Sequence, residues 1–322
     1  MCIRDRVIGD KQNSNQGNCG FIGGGSGSLF CCTSYNPCFG SIAGGRENKI
    51  CNEEYGSIGG GCCNIISAVH CACAGTIGGG TLNTIAGHHG TIGGGASNSI
   101  CYQIQFGTIA GGSQNKICSL GGFIGGGGDN CVEKSAMSTT GCYGAIAGGC
   151  CNSIQGNCGF IGGGFKNCVT CVANFGSVLA GCCNCANHLE SHIIGSDITS
   201  TADCYTFMNN ACIAGTTRTN CVIETSARRY KECILPLQDQ IENIKKLEPV
   251  EFQWKKDKTK DIGFIAEKVE QIYPDLVAYE EDGKISGVQY SKLTTVLVKA
   301  LQQQQEQIEE LKEEIFILKQ NK

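Results

Sequence analysis

The chain has 322 residues, a net charge of −4 at pH 7, 48 glycines and 26 cysteines. Charge is nearly balanced along the whole chain, which excludes the basic surface of a nucleic-acid-binding protein. No stretch approaches the roughly 18 consecutive apolar residues of a membrane-spanning helix. After Thr225 the chain has only three glycines, Gly263, Gly283 and Gly287, and one cysteine, Cys233. Charged residues, in contrast, are concentrated in this C-terminal part. Such a change in composition indicates a domain boundary near residue 226.

The N-terminal segment 1–16 resembles neither the glycine- and cysteine-rich part of the chain nor the charged part after Thr225. Met1–Arg6 lacks the apolar stretch of a signal peptide. We leave this segment unassigned and expect it to be the edge of a fragment.

Residues 17 to about 195 repeat the unit G-x-I-G/A-G-G-x-x-N-x-I at unequal intervals. The first apolar position holds Ile42, Ile58, Ile77, Ile92, Ile109, Ile124, Ile146, Ile161 and Val178, with an incomplete copy at Ile22. Further along each unit come Asn48, Asn64, Asn83, Asn98, Asn115, Asn130, Asn152, Asn167 and Asn184. The second apolar position holds Ile50, Ile66, Ile85, Ile100, Ile117, Val132, Ile154, Val169 and Ala186.

The residue types of the repeat predict a mainly β structure. Glycine opposes helix formation and β-branched residues favour strands. Glycine also allows positive φ or close backbone approach, and asparagine tolerates left-handed turns. We therefore predict that each copy forms one coil with two short strands, and that stacked coils bury a thin column of Ile and Val.

One thin column does not offset the entropy of ordering the chain. We therefore expect several chains to share an axis, with glycines where the chains meet, as a homotrimeric parallel β-roll or interwound β-helix. The repeat resembles the head repeats of trimeric autotransporter adhesins and the shafts of viral fibres. This resemblance implies a rod.

The glycine runs do not predict a ligand site. A phosphate loop needs one such run followed by Lys and Ser or Thr, and calcium-binding repeats need a recurring Asp, whereas only Asp129 adjoins a run. The cysteines favour a role as small, semi-apolar residues in a narrow interior, with disulfides as the alternative. Cys168 and Cys171 form a CxxC pair, but no second pair or His pair follows it at zinc-finger spacing, so we expect neither a metal nor a cofactor.

Residues 196–225 are rich in Thr, Ser and Asn, and we interpret them as a neck of short strands and turns. From residue 226 to 322 the pattern is α+β. It predicts a helix over 235–247, strands over 250–254 and 262–265, a helix over 266–272, a turn at Asp282-Gly283 and a helix from Ser291 onward.

The last helix carries heptads, which predict a coiled coil over about 291–322. One core position holds Leu297, Gln304, Leu311 and Leu318, and the other holds Leu301, Ile308 and Ile315. A helix packed on its own domain is the alternative. Three heptads leave the number of chains open.

The C-terminal segment resembles the peptidase S74 family, the intramolecular chaperones of phage endosialidases and tail fibres. The matching stretches are 226–232, 247–254, 262–267, 273–277 and 288–290. The resemblance implies self-cleavage between Thr225 and Ser226 by a dyad of Ser226 and Lys231. Ala227 stands where the family often has Asp.

General chemistry also supports a serine and a lysine acting as nucleophile and base. A serine hydroxyl needs a base, and lysine serves once burial or nearby cations favour its neutral form. Arg229 is the neighbour we expect to assist, either through its charge or by stabilising the oxyanion. The spacing of five does not place Ser226 and Lys231 on one helical face, so we expect the serine on a turn or strand end.

These features favour a structural fibre or spike protein of a phage-type virion, whose C-terminal domain templates trimerisation and then cuts itself off. Its partners would be two further copies of the chain and a host cell-surface receptor or glycan. The alternative is a bacterial trimeric adhesin, which would be extracellular or on the cell surface. A membrane-anchored self-cleaving regulator is less well supported, because neither a membrane span nor a DNA-binding domain is visible.

Overall fold

The computed structural model describes residues 6–7, 12–16, 19–31, 39–53, 55–72, 74–134, 143–211, 219–220, 222–280 and 282–320. The chain divides into two compact units, Met1–Thr217 and Arg218–Lys322.

The first unit is a parallel β-solenoid, and each coil contributes one short strand to each of two sheets. Within the described residues, the 13 strands of one sheet are Arg6–Val7, Phe21–Ile22, Ser41–Ile42, Ser57–Ile58, Thr76–Ile77, Thr91–Ile92, Thr108–Ile109, Phe123–Ile124, Ala145–Ile146, Phe160–Ile161, Ser177–Val178, His192–Ile194 and Thr206–Met208. The other sheet contains 11 described strands: Ser14–Asn15, Leu29–Cys31, Lys49–Glu53, Ile65–Ala72, Thr84–Ile85, Ser99–Ile100, Lys116–Cys118, Cys131–Glu133, Ser153–Ile154, Cys168–Val169 and Cys185–Ala186.

The predicted apolar column is confirmed. Equivalent residues of successive coils pair in register, as Ile92 does with Ile77 and Ile109. The inward residues from Ile22 to Ile193 are at most 1% exposed within a single chain. A second chain is therefore not needed to bury the column, contrary to the argument from its thinness.

The repeat asparagines form a buried ladder, and the prediction that they occupy left-handed turns is wrong. Asn98 Nδ2 donates to Asn83 Oδ1 at 3.1 Å and to the carbonyls of Gly94 and Gly112 at 3.0 and 2.9 Å. Asn98 Oδ1 accepts from the backbone and side-chain nitrogens of Asn115, both at 3.1 Å. The side chain thereby satisfies polar groups of the glycine turn that water does not reach.

The left-handed conformation instead belongs to the residue before each ladder asparagine. These residues have φ between 53° and 60°: Glu47, Cys63, Leu82, Ser97, Gln114, Asp129, Cys151, Lys166 and Cys183. Their side chains point away from the core at a corner of the coil, so that position accepts many residue types. The sequence pattern at this position is correspondingly variable.

The glycines of each run differ in their surroundings. In the run Gly93-Gly94-Gly95, a Cβ on Gly93 would overlap the Ala110 carbonyl oxygen, and one on Gly95, at φ +92°, would overlap that of Gly112. The flanking glycines therefore mark contacts between coils of the same chain, not between chains as predicted. The middle glycine is different, because a Cβ on Gly94 would meet no described atom within 4 Å.

The cysteines lie outside the apolar column, so the prediction that they pack in the interior is wrong. Every cysteine whose side chain is described is partly or fully exposed. The column is filled by larger β-branched side chains, which leaves the outward positions for cysteine. Disulfides join Cys31 to Cys51 and Cys101 to Cys118, each linking adjacent coils.

The coil geometry continues into the segment predicted as a neck. Thr206–Met208 pairs in parallel with His192–Ile194. The backbone nitrogen of Ile198 donates to Asn184 Oδ1 at 3.1 Å, which extends the ladder by one step. Residues 212–218 and 221 of the predicted neck lie outside the described part of the chain.

The second unit is a small α+β fold. Antiparallel pairs join Val250–Gln253 to Lys260–Gly263 and Val277–Tyr279 to Ile285–Val288. The helices are Ile241–Ile244, Ala266–Glu270 and Tyr290–Gln320, with 3-10 turns at Arg228–Tyr230 and Pro274–Leu276. The buried core consists of Val269, Leu276, Val277, Leu293 and Val296.

Most predicted elements of this unit are confirmed to within a few residues, but the helix predicted over 235–247 is reduced to Ile241–Ile244. Pro236 disfavours a helical conformation for the residue before it. The backbone nitrogen of Gln240 donates to Gln303 Oε1 at 2.8 Å instead of to a preceding carbonyl. The tertiary contact therefore overrides the helical periodicity.

The helix Tyr290–Gln320 begins against the core and then leaves it. Leu293 and Val296 are buried. The later heptad residues are exposed within one chain: Leu297, Leu301, Ile308, Leu311, Ile315 and Leu318. In the described part of the chain, no helix is both long and apolar enough to cross a membrane.

We predict that Asn98→Ala lowers the free energy of unfolding of the solenoid by about 3 kcal/mol, because it leaves several buried donors and acceptors unpaired. Ser99→Ala, at the neighbouring outward position, should change it by less than about 0.5 kcal/mol. Urea unfolding followed by circular dichroism measures both. Equal effects of the two substitutions would contradict the role of the ladder.

Leu276→Ala should destabilise the second unit by about 2–4 kcal/mol, because Leu276 is 5% exposed and its loss leaves a cavity. Leu235→Ala is the matched control, since Leu235 is 83% exposed. The single tryptophan, Trp254, lies in this unit, so its fluorescence reports this transition separately from the solenoid. A loss of stability as large in Leu235→Ala would argue against the core described here.

Candidate functional site

Ser226 and Lys231 are hydrogen-bonded to each other. Lys231 Nζ donates to Ser226 Oγ at 2.7 Å. The two side chains named from the sequence as nucleophile and base are thus brought together, while their catalytic roles stay a prediction.

A short 3-10 turn produces this contact. The backbone nitrogens of Tyr230 and Lys231 donate to the carbonyls of Ala227 and Arg228, both at 3.0 Å. The turn covers Arg228–Tyr230, and the flanking residues Ala227 and Lys231 are extended. Ser226 therefore lies just before the turn and Lys231 just after it, in agreement with the expectation that the serine is not in a helix.

Arg229 packs over the ring of the next residue along the chain. Its guanidinium carbon lies 4.6 Å from the centre of the Tyr230 ring, a cation–π arrangement. The predicted assisting role of Arg229 stays a prediction.

The site is open to solvent within one chain. Every residue from 222 to 239 is exposed, including Thr225, Ser226 and Lys231. Arg228, Arg229, Lys231, Glu232, Cys233 and Ile234 line a shallow depression beside the dyad. Glu232 and Cys233 were not singled out from the sequence, and only their adjacency to Lys231 points to them.

The predicted roles of Ser226 and Lys231 depend on how much water surrounds the lysine. Lysine accepts a proton only in its neutral form, which is favoured when water is removed from around it or when other cations are near. Arg228 and Arg229 supply nearby positive charge. Removal of water from the exposed segment requires that something cover it.

The solenoid also brings together groups that lie far apart in the sequence. Asp129 with Cys150 and Cys151, and Asp197 with Cys182 and Cys183, place their donor atoms within 4.8 Å of one another. Their separation along the chain hides them from local motif analysis, and only the register of the coils reveals them.

Residues 226–278 match the model of the peptidase S74 family, described as a chaperone of endosialidase. The match begins at Ser226, the predicted nucleophile, and includes the first antiparallel pair and the helix Ala266–Glu270. None of the curated proteins compared with this chain matches it.

Proposed function

We propose that the chain is a structural fibre or spike protein of a phage-type virion, whose C-terminal unit directs assembly of a homotrimer and then removes itself by cutting Thr225–Ser226. The observation that carries the proposal is the chaperone match at residues 226–278 on a chain whose first unit is a solenoid. The repeat pattern alone would suit a bacterial adhesin equally well, and the C-terminal match favours the fibre.

A stripe of middle glycines supports assembly of several chains. Nine coils keep glycine where a Cβ would meet no described atom of the chain within 4 Å: Gly24, Gly44, Gly60, Gly79, Gly94, Gly111, Gly126, Gly148 and Gly163. Gly60 and Gly126, both at φ +155°, have a backbone reason to be glycine, and the other seven do not. Glycine at those seven is explained if another backbone approaches closely along the stripe.

The end of the C-terminal helix supports the same conclusion. Its heptad residues from Leu297 to Leu318 are exposed within one chain. Leucine and isoleucine at alternating three- and four-residue intervals pack well only against a partner helix. Further copies of the same chain would supply it.

The proposed cleavage requires no other protein. Lys231 in its neutral form takes the proton of Ser226 Oγ, reversing the hydrogen bond in which it now donates. The oxygen attacks the carbonyl carbon of Thr225, an ester forms and the C–N bond breaks, and the proton passes to the departing nitrogen. Water then hydrolyses the ester, which frees the Thr225 carboxylate and restores the hydroxyl.

Exposure of the dyad in one chain supports an order of events. Assembly would cover residues 222–239 and favour the neutral lysine, so cleavage would follow trimerisation. A chain that cut itself earlier would lose its template. After the cut, a high unfolding barrier would preserve the rod.

We predict that the purified chain is found as two fragments, the smaller comprising residues 226–322. Ser226→Ala should remain intact because the nucleophile is gone, and Lys231→Arg should remain intact because arginine keeps the charge but does not release its proton. Ser291→Ala, an exposed serine of the same unit, should cut like the parent. Intact mass spectrometry distinguishes these outcomes, and a cut in Ser226→Ala would disprove the dyad.

We also predict that the double substitution Gly94→Val and Gly111→Val lowers the trimer population at least about tenfold while the circular dichroism of the coils is retained. The reason is that each side chain has room in its own chain but would obstruct a neighbour. Ser99→Val and Lys116→Val, on outward strand positions of the same coils, are the controls. Sedimentation velocity measures the populations, and unchanged trimers would contradict an interface along the middle glycines.

A further inference from the structure

The described Cys–Cys pairs of the solenoid all stand beside a carboxylate. Each pair occupies the corner after a glycine run, with its second cysteine at the left-handed position: Cys62-Cys63, Cys150-Cys151 and Cys182-Cys183. The acids at that same position are Glu47, Asp129 and Asp197, and each lies one coil from a Cys–Cys pair. Three side chains from two coils therefore converge at each corner.

The first corner contains its own cation. Arg46 Nη2 lies 3.5 Å from Cys62 Sγ, and Arg46 Nε lies 3.7 Å from Glu47 Oε1. The pKa of Cys62 is lowered by its hydrogen bond with Cys63 and, next, by that with Arg46. The Arg46 guanidinium thus places a positive charge beside the two thiols and the carboxylate of this corner.

The other two corners lack an equivalent arginine. Gly128 adjoins Cys150 at the position that Arg46 holds beside Cys62, and Phe165 adjoins Cys182 there. The sulfurs of Cys150 and Cys151 are 3.2 Å apart. The pKa of Cys150 is raised by its hydrogen bond with Cys151, by burial and by the charges of Cys151 and Asp129, so these neighbours oppose the ionisation of Cys150.

Lys166 is a basic residue at the left-handed position of the coil between these two corners. Its ammonium lies 4.9 Å from the centre of the Phe165 ring. It lowers the pKa of Cys183, but this is the weakest influence there, and burial together with Cys182 and Asp197 raises that pKa overall. Lys166 therefore does not balance the charge that the donors would carry if ionised.

We propose that the corners Asp129–Cys150–Cys151 and Cys182–Cys183–Asp197 each bind a thiophilic divalent cation such as zinc. Two thiolates and one carboxylate are ligands that zinc accepts, and water completes the tetrahedron. Binding releases the two thiol protons to solvent. Because the carboxylate comes from the coil before in one site and the coil after in the other, each ion would tie two adjacent coils together.

This proposal is independent of the proposed function. The sequence predicted no metal site, because no second pair or His pair follows Cys168 and Cys171 at zinc-finger spacing. The metal-donor side chains of each corner come from two different coils; Asp129 and Cys150 are an example. The register between coils is what brings them together.

The test is titration of the full chain, with its thiols reduced, with Co²⁺ as a spectroscopic substitute for zinc. We expect a thiolate-to-cobalt charge-transfer band that zinc abolishes. Equilibrium dialysis should show that Cys150→Ser and Cys182→Ser each lose about one zinc equivalent per chain and the double variant about two. Cys158→Ser, an exposed cysteine outside both corners, should bind as the parent does.

Asp129→Asn provides a check against misfolding, because asparagine suits the left-handed backbone of Asp129, at φ +53°, and preserves its size. It should weaken zinc binding at this corner at least about tenfold while circular dichroism is unchanged. The proposal is overturned if the parent gives no thiolate band, if Cys150→Ser and Cys182→Ser lose no zinc, or if Cys158→Ser loses as much as they do.

Discussion

The in-register stacking of nearly identical coils is the constraint on which the rest of the molecule depends. Most coils place one Ile or Val in each sheet and one asparagine in the ladder, and the apolar residues pair with their equivalents in the next coil, as Ile92 does with Ile109 and Ile100 with Ile117. Within a chain the register follows from connectivity, because skipping a coil would leave it looped out. Between chains, however, a shift by one coil would preserve most contacts, so identical coils specify the register weakly. A separate unit that assembles first would remove this ambiguity.

Much of the fold can be predicted from the sequence, because the residues that determine it are close together in the chain and recur in every copy of the repeat. The apolar positions from Ile42 to Val178 recur once in each copy of the glycine- and asparagine-containing unit, which is typical of stacked coils. The asparagines were misjudged because their role is non-local: the partners of Asn98 are Asn83 and Asn115, 15 and 17 residues away. The cysteines were misjudged for a different reason. The apolar column has room for side chains as large as isoleucine and valine, and the apolar character of cysteine does not determine whether it points into the column or outward.

The candidate site shows the same division. The proximity of Ser226 and Lys231 was predictable because a single turn of Arg228–Tyr230 sets it. The position of Arg229 over Tyr230 was not, because side-chain stacking leaves no trace in spacing. Nor does the sequence reveal that Ser226 and Lys231 are exposed in one chain, and in the proposed function this exposure links cleavage to assembly. In the proposed function, a nucleophile and a base that work only when covered make the cut depend on the assembly that covers them.

The most direct test of this account compares the oligomeric state of residues 1–225 with that of the full chain carrying Ser226→Ala, by light scattering after size-exclusion chromatography. The account predicts uniform trimers for the full chain, whose template cannot be cut away. It predicts monomers and irregular aggregates for residues 1–225, because nothing then sets the register between chains. Soluble trimers of residues 1–225 alone would contradict the central claim that the C-terminal unit directs assembly of the solenoid.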